Sequence, residues 1–91
     1  VTLPFELVLT PPATRAIQRG LPESVAAAVV EFFTGALIDN PQRVGKPLRG
    51  ELAGIRSARR GTYRVLYRIN EQAREVVVLR VEHRRDVYGR H

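Results

Sequence analysis

Residues 52–69, LAGIRSARRGTYRVLYRI, decide the fold. From Thr62 onward the alternation is regular: Tyr63, Val65, Tyr67 and Ile69 fall on one side of a strand, and Arg64, Leu66 and Arg68 on the other. One side is suited to a core and the other carries charge. Arg56, Arg59 and Arg60 come just before, and Arg60-Gly61-Thr62 reads as a tight connection, because glycine accepts backbone angles that other residues avoid. The stretch therefore predicts two adjacent strands sharing a cationic face, the kind of surface a polyphosphate ligand requires.

The 91 residues predict a single domain over 1–91, since two cores of half that size would bury too little apolar surface. Without cysteine there are no disulfides and no thiolate metal sites. The two histidines and nine acidic residues show no ligand-like spacing, so neither metal nor cofactor is expected. The longest apolar run, Val25 to Val30, is far short of a membrane span, and the chain does not open like a signal peptide. The expectation is a cytoplasmic protein with no membrane partner.

The net charge of +6 is unevenly spread. Residues 1–42 hold two arginines against four carboxylates, whereas residues 43–91 hold thirteen cations against five. Such polarity sets a positive field over one side and favours a polyanion. All the cations but Lys46 are arginine, whose planar fork pairs with phosphate and stacks on bases. Nucleic acid is the expected partner class.

Phe5 to Leu9, fenced by Pro4 and Thr10-Pro11-Pro12, reads as a first strand. Thr10 or Thr14 caps a short helix over roughly 12–20, with Ala13, Ala16 and Ile17 inward and Gly20 at its end. Pro22 opens a second helix whose apolar stripe takes in Val25, Val29, Phe32 or Phe33, Ala36 and Leu37. Asp39 to Glu51 has no sustained period and contains Pro41, Gly45, Pro47 and Gly50, so it reads as a basic loop carrying Arg43, Lys46 and Arg49. After the pair of strands, Asn70 to Arg74 is a polar hairpin connection. Val76 to Leu79 is a continuous apolar run that fits a strand covered on much of both faces. The fold class is α+β, in the order β-α-α-β-β-β.

Breaking a phosphodiester needs a cation for the charge growing on the phosphoryl oxygens and groups that move protons on and off the reacting oxygens. RNA brings its own nucleophile, the 2′-OH. Arg64 is the candidate charge stabiliser, and His83 and Tyr88 are the candidate proton carriers. Histidine titrates near neutrality, and surrounding cations draw a tyrosine downward toward phenolate.

At this point the residues resemble a known family. The element order, the stretch KPLRGELAGIRSARRGTYRVLYRI and the closing EHRRDVY are similar to the RelE toxins of bacterial toxin–antitoxin pairs, most strongly from Lys46 to Tyr88. The resemblance implies an antiparallel sheet with helices on one face. It also implies a toxin that enters the ribosomal A site and cleaves mRNA there by 2′-OH attack on the next phosphate, without metal. A RelB-type antitoxin would wrap the toxin and block its basic surface, and the complex would bind promoter DNA mainly through the antitoxin. Arg64 falls on the strand arginine that the family sets against the scissile phosphate, and Tyr88 on its C-terminal tyrosine. His83 lies near a position that is arginine or histidine among members. Lys46, Arg49, Arg56, Arg59, Arg60, Arg84 and Arg85 are the expected RNA- and ribosome-facing cations. The lysines that studied members carry on the strand before Arg64 are replaced by Ile55 and Ser57, which leaves the general base unassigned.

Two other functions share these features. A ParE-type toxin has the same fold and poisons gyrase without cutting RNA, and a basic domain without catalysis would bind nucleic acid through charge alone. The His83 and Tyr88 pair and an outward Arg64 favour the nuclease.

Overall fold

The computed structural model describes residues 3–83. Its centre is the strand read from the alternation, β4 (Tyr63–Asn70, the label following chain order), in which Tyr63, Val65 and Tyr67 are buried. Strand β3 (Arg56–Arg60) pairs with it antiparallel through the turn at Gly61, whose φ of 58° is a left-handed value suited to glycine. On the other side lies β5 (Glu75–His83), also antiparallel, joined by a turn in which the Asn70 side chain accepts the Ala73 N–H at 3.1 Å. The first strand, β1 (Glu6–Leu9), sits beyond β5 and runs parallel to it.

The helical hairpin is as expected, with one difference in its stripe. Helix α1 (Pro11–Arg15) runs on into a wide turn, Ala16–Gly20, and α2 (Glu23–Phe32) into another, Phe33–Leu37. The wide turn places more residues per revolution than an α-helix. Ala36, expected in the stripe, is consequently exposed, while Phe32, Phe33 and Leu37 are all buried.

The stretch expected to be a loop holds three small elements instead: α3 (Pro41–Val44), a two-residue strand β2 (Lys46–Pro47) and a single 3₁₀ turn, Gly50–Leu52. Strand β2 pairs antiparallel with β3, and the sheet order is β1-β5-β4-β3-β2. The sheet thus has five strands rather than four, and its parallel edge departs from the all-antiparallel expectation.

Helices and core lie on one face. Ala13, Val29, Phe32, Phe33 and Leu37 pack with Ala58, Tyr63, Val65, Tyr67, Val76, Val78 and Val81 in one cluster. Full burial of a large apolar side chain contributes about 1.5–3 kcal/mol, so this packing rather than surface ion pairs holds the layers together.

Strand β5 is irregular. Leu66 stands opposite Arg80 but Tyr67 opposite Val78, so Leu79 is an extra residue, a β-bulge. Val76 and Val78 face the core on one side of it and Val81 on the other. If the same nine residues ran without the bulge, strict alternation would carry Arg80 and Glu82 under the helices. Thr10 secures the bulge. Its hydroxyl donates toward the carbonyl oxygens of Val78 and Leu79, at 3.0 and 2.9 Å, and accepts the Ala13 N–H at the start of α1.

Candidate nucleic-acid interface

The face of the sheet opposite the helices is built by register. Across β5, β4 and β3 a first row reads Glu82, Arg64, Arg59, because Arg64 pairs with both neighbours. A second row reads Arg80, Leu66, Ser57 and, from β2, Lys46. Arg68 follows, opposite Val77. Strands spaced about 4.8 Å apart put these side chains within a few ångströms of one another. The surface is an arginine lattice around a half-buried leucine.

Arg64 lies on this open face with its side chain 40% exposed, not beneath the helices. Its guanidinium is engaged by Glu82: Nε donates to Oε1 at 3.0 Å and Nη2 donates to the same oxygen. Glu82, whose side chain is only 20% exposed, also lies 3.7 Å from Arg80 Nε through Oε2. Arg68, Arg80 and Glu82 are absent from the expected site residues. Positions 80 and 82 belong to the same alternate series as the buried Val76 and Val78, so only the bulge at Leu79 turns them outward. The charge at both positions, on a side that alternation assigns to the core, was the signal for that bulge.

The other expected cations divide. Arg59 and Lys46 share the face with Arg64, and exposed Arg49 follows β2. Arg56 and Arg60 do not: they lie on the helix-covered side with Ala58, because side chains alternate along β3. Arg56 donates to the carbonyls of Gln42 at 2.8 Å and Gly45 at 3.2 Å, clamping the end of α3. Its Nε is buried with no partner among the described residues. Arg60 stacks over the Phe32 ring at 4.7 Å. His83 pairs across the ladder with Tyr63, on the side opposite Arg64. Tyr88, Arg84 and Arg85 lie outside the described residues.

The clamp by Arg56 bears on the replaced lysines. Tyr67 donates a hydrogen bond to the Pro41 carbonyl at 2.6 Å, and with Arg56 it fixes the segment leading into β2. That strand brings Lys46 beside Ser57, so an ammonium stands one strand away from position 57, where the family resemblance implied a lysine. Tyr63 and Tyr67 are core residues. Burial pushes both phenols above the usual tyrosine value, against the opposing pull of Arg60 on Tyr63 and Arg56 on Tyr67.

Comparison with known proteins bears on the same surface. The profile of the family described as ParE toxin of the type II toxin–antitoxin system parDE matches residues 7–88. Toxin RelG of Mycobacterium tuberculosis is 54% identical over 88 residues, spanning 97% of this chain and 100% of RelG. The chain belongs to the RelE/ParE superfamily of type II toxins. A second relative of this RelE/ParE toxin, Toxin RelE of the same organism, is 47% identical over 85 residues, covering 93% of this chain and 87% of that one. Among solved structures, a chain of the toxin–antitoxin complex RelBE2 from M. tuberculosis superposes with a TM-score of 0.86 at 55% identity, covering 90% of this toxin and 100% of that chain. The α+β architecture, helices on one side and sheet open on the other, is the fold of that group.

Proposed function

We propose that this toxin is a ribosome-dependent mRNA endoribonuclease, restrained by a RelB-type antitoxin. The observation that carries the reading is Arg64: it stands on the open face, part exposed, among Arg59, Arg68 and Arg80, where a bound phosphate would take the guanidinium N–H groups that Glu82 leaves free. A guanidinium there stabilises the negative charge that grows on the phosphoryl oxygens as the 2′-oxygen attacks. Tyr88 is the proposed donor to the leaving oxygen. Arg59, Lys46 and Arg49, with Arg84 and Arg85, hold the RNA and ribosome backbone, while Arg56 and Arg60 act through the fold. The kinship with mycobacterial toxins named RelG and RelE supports this reading.

The antitoxin partner is supported by the RelBE2 structure, a complex of toxin with antitoxin. An acidic segment that orders on binding fits an uncovered arginine surface. Promoter DNA is then reached mainly through the antitoxin.

Mapping transcript 5′ ends in a translating extract tests the proposal. New ends within translated regions, lost with Arg64→Ala and reduced with Tyr88→Phe, support it; the absence of any new ends overturns it. The family profile favours a second reading, a ParE-like gyrase poison. DNA-damage signals rising while translation continues would establish that one instead.

A further inference from the structure

The open face poses a chemical problem: the 2′-hydroxyl proton needs an acceptor, and the surface is almost all arginine. Arginine gives up its proton too reluctantly to serve. Ser57 is a neutral hydroxyl, and His83 sits on the other side of the sheet. Of the carboxylates on β5, Glu75 pairs with Asn70 at the far end, seven residues along the strand from Glu82. Among the described residues, Glu82 is the one carboxylate that touches Arg64.

Resting on the endoribonuclease reading above, we propose that Glu82 is the general base of the cleavage. Its two oxygens are differently occupied. Oε1 takes both bonds from Arg64, whereas Oε2 accepts no hydrogen bond among the described residues, with Arg80 Nε at 3.7 Å. A phosphate drawn to Arg64 has its neighbouring 2′-hydroxyl on the adjacent ribose, within reach of a group that itself touches that arginine. The carboxylate takes the 2′-hydroxyl proton as the 2′-oxygen forms its bond to phosphorus. The bond from phosphorus to the 5′-oxygen breaks, and that oxygen leaves with the electron pair and takes a proton from water or a general acid. The products are a 2′,3′-cyclic phosphate and a 5′-hydroxyl, after which Glu82 returns its proton to water. In this scheme the carboxylate does what the missing lysines at positions 55 and 57 would otherwise do.

Among the described residues, the charged groups around the carboxylate are cationic. Arg64 approaches from β4, Arg80 from its own strand and Arg59 from β3 beyond Arg64, while Arg15 and Arg19, with Arg80, line a cleft between α1 and β5.

The test is single-turnover cleavage of mRNA on purified, programmed ribosomes across pH, for the wild-type toxin, Glu82→Gln and Glu82→Asp. Thermal melts and ribosome-binding titrations of each protein accompany it. Glu82→Gln is expected to lower the cleavage rate by about 10²–10⁴-fold, the usual contribution of general base catalysis. It should also lose the acidic limb of the pH profile while still binding ribosomes. Glu82→Asp, one methylene shorter, should cleave slowly but keep that limb. If Glu82→Gln cleaves as fast as wild type or faster, the residue only masks Arg64 and the proposal is overturned. If the wild-type toxin cuts nothing at any pH, the endoribonuclease reading itself fails, and that result is distinct from a failure of Glu82 alone.

Discussion

Arg59 and Arg64 stand directly opposite each other across β3 and β4, two like charges on one face of the sheet. Such a pair is unfavourable by a few tenths of a kcal/mol up to about 1 kcal/mol in an antiparallel ladder. Glu82 on the far side of Arg64 offsets part of that repulsion, and Arg59 has no such neighbour among the described residues. A site that concentrates positive charge at some cost in stability is arranged for an anionic ligand.

Arg59 and Arg60 should therefore behave oppositely although they are adjacent. Arg59→Gln is expected to leave stability unchanged or slightly raised and to lower the affinity for single-stranded RNA. The slope of log affinity against log salt should fall by about 0.7, because one phosphate fewer is neutralised. Arg60→Gln removes the stack on Phe32 and should cost about 0.5–1 kcal/mol of stability with little change in that slope. Anisotropy titrations at several salt concentrations, with urea melts of both variants, check this.

Gly45 is a position where even one methyl group cannot fit. A Cβ there would overlap the Tyr67 hydroxyl and stand 2.9 Å from the Ser57 carbonyl oxygen. Gly45→Ala should destabilise by about 1–3 kcal/mol, read as a lower urea midpoint. Tyr67→Phe removes the donor to the Pro41 carbonyl and should cost about 1–3 kcal/mol by leaving that oxygen unpaired. The double variant should lose less than the sum, since removing the hydroxyl also removes the closest of these overlaps.

The buried tyrosines give a pH dependence with a definite sign. Tyr63 and Tyr67 hold their protons to higher pH in the folded protein than in the unfolded chain. Above the ordinary tyrosine value of about 10 the folded state therefore binds more protons. The stability linked to these phenols is complete below that pH and is lost as pH climbs through the folded values. Absorbance at 295 nm should show Tyr63 and Tyr67 ionising late, together with unfolding, and Tyr67→Phe should remove one of these two late ionisations.

Thr10 joins two features through one oxygen. Thr10→Val keeps the shape but removes the bonds toward Val78 and Leu79 and the cap on Ala13, and should cost about 1–2 kcal/mol. Thr10→Ser should restore most of it. Hydrogen exchange of the amides flanking Leu79 reports where the loss falls.

Strand β4 was legible because one side is buried and the other is not, so Tyr63, Val65 and Tyr67 mark a core by position alone. Strand β2 and helix α3 were not, since such short elements have no period to read and are fixed by distant partners. Leu48 donates to the Ile55 carbonyl at 2.8 Å, and Arg56 reaches back to Gln42. The side taken by each arginine of β3 was obscured by charge, although Ala58, the one apolar residue among Arg56–Arg60, was the available clue. His83 and Arg64 looked like partners because both are near the strand ends that meet; the pleat sets them on opposite sides. The family resemblance and the fold class agree with the comparisons.

The bulge at Leu79 has a consequence for how the chain tolerates change in length. Strand β5 holds one residue more than its alternation requires, so deleting a single residue from 77–79 would leave every charge on the side it now occupies. The same deletion within 64–69 of β4 would exchange oil for charge along part of the strand. Insertions and deletions are thus not equivalent across neighbouring strands: one carries a spare letter, and the other carries none.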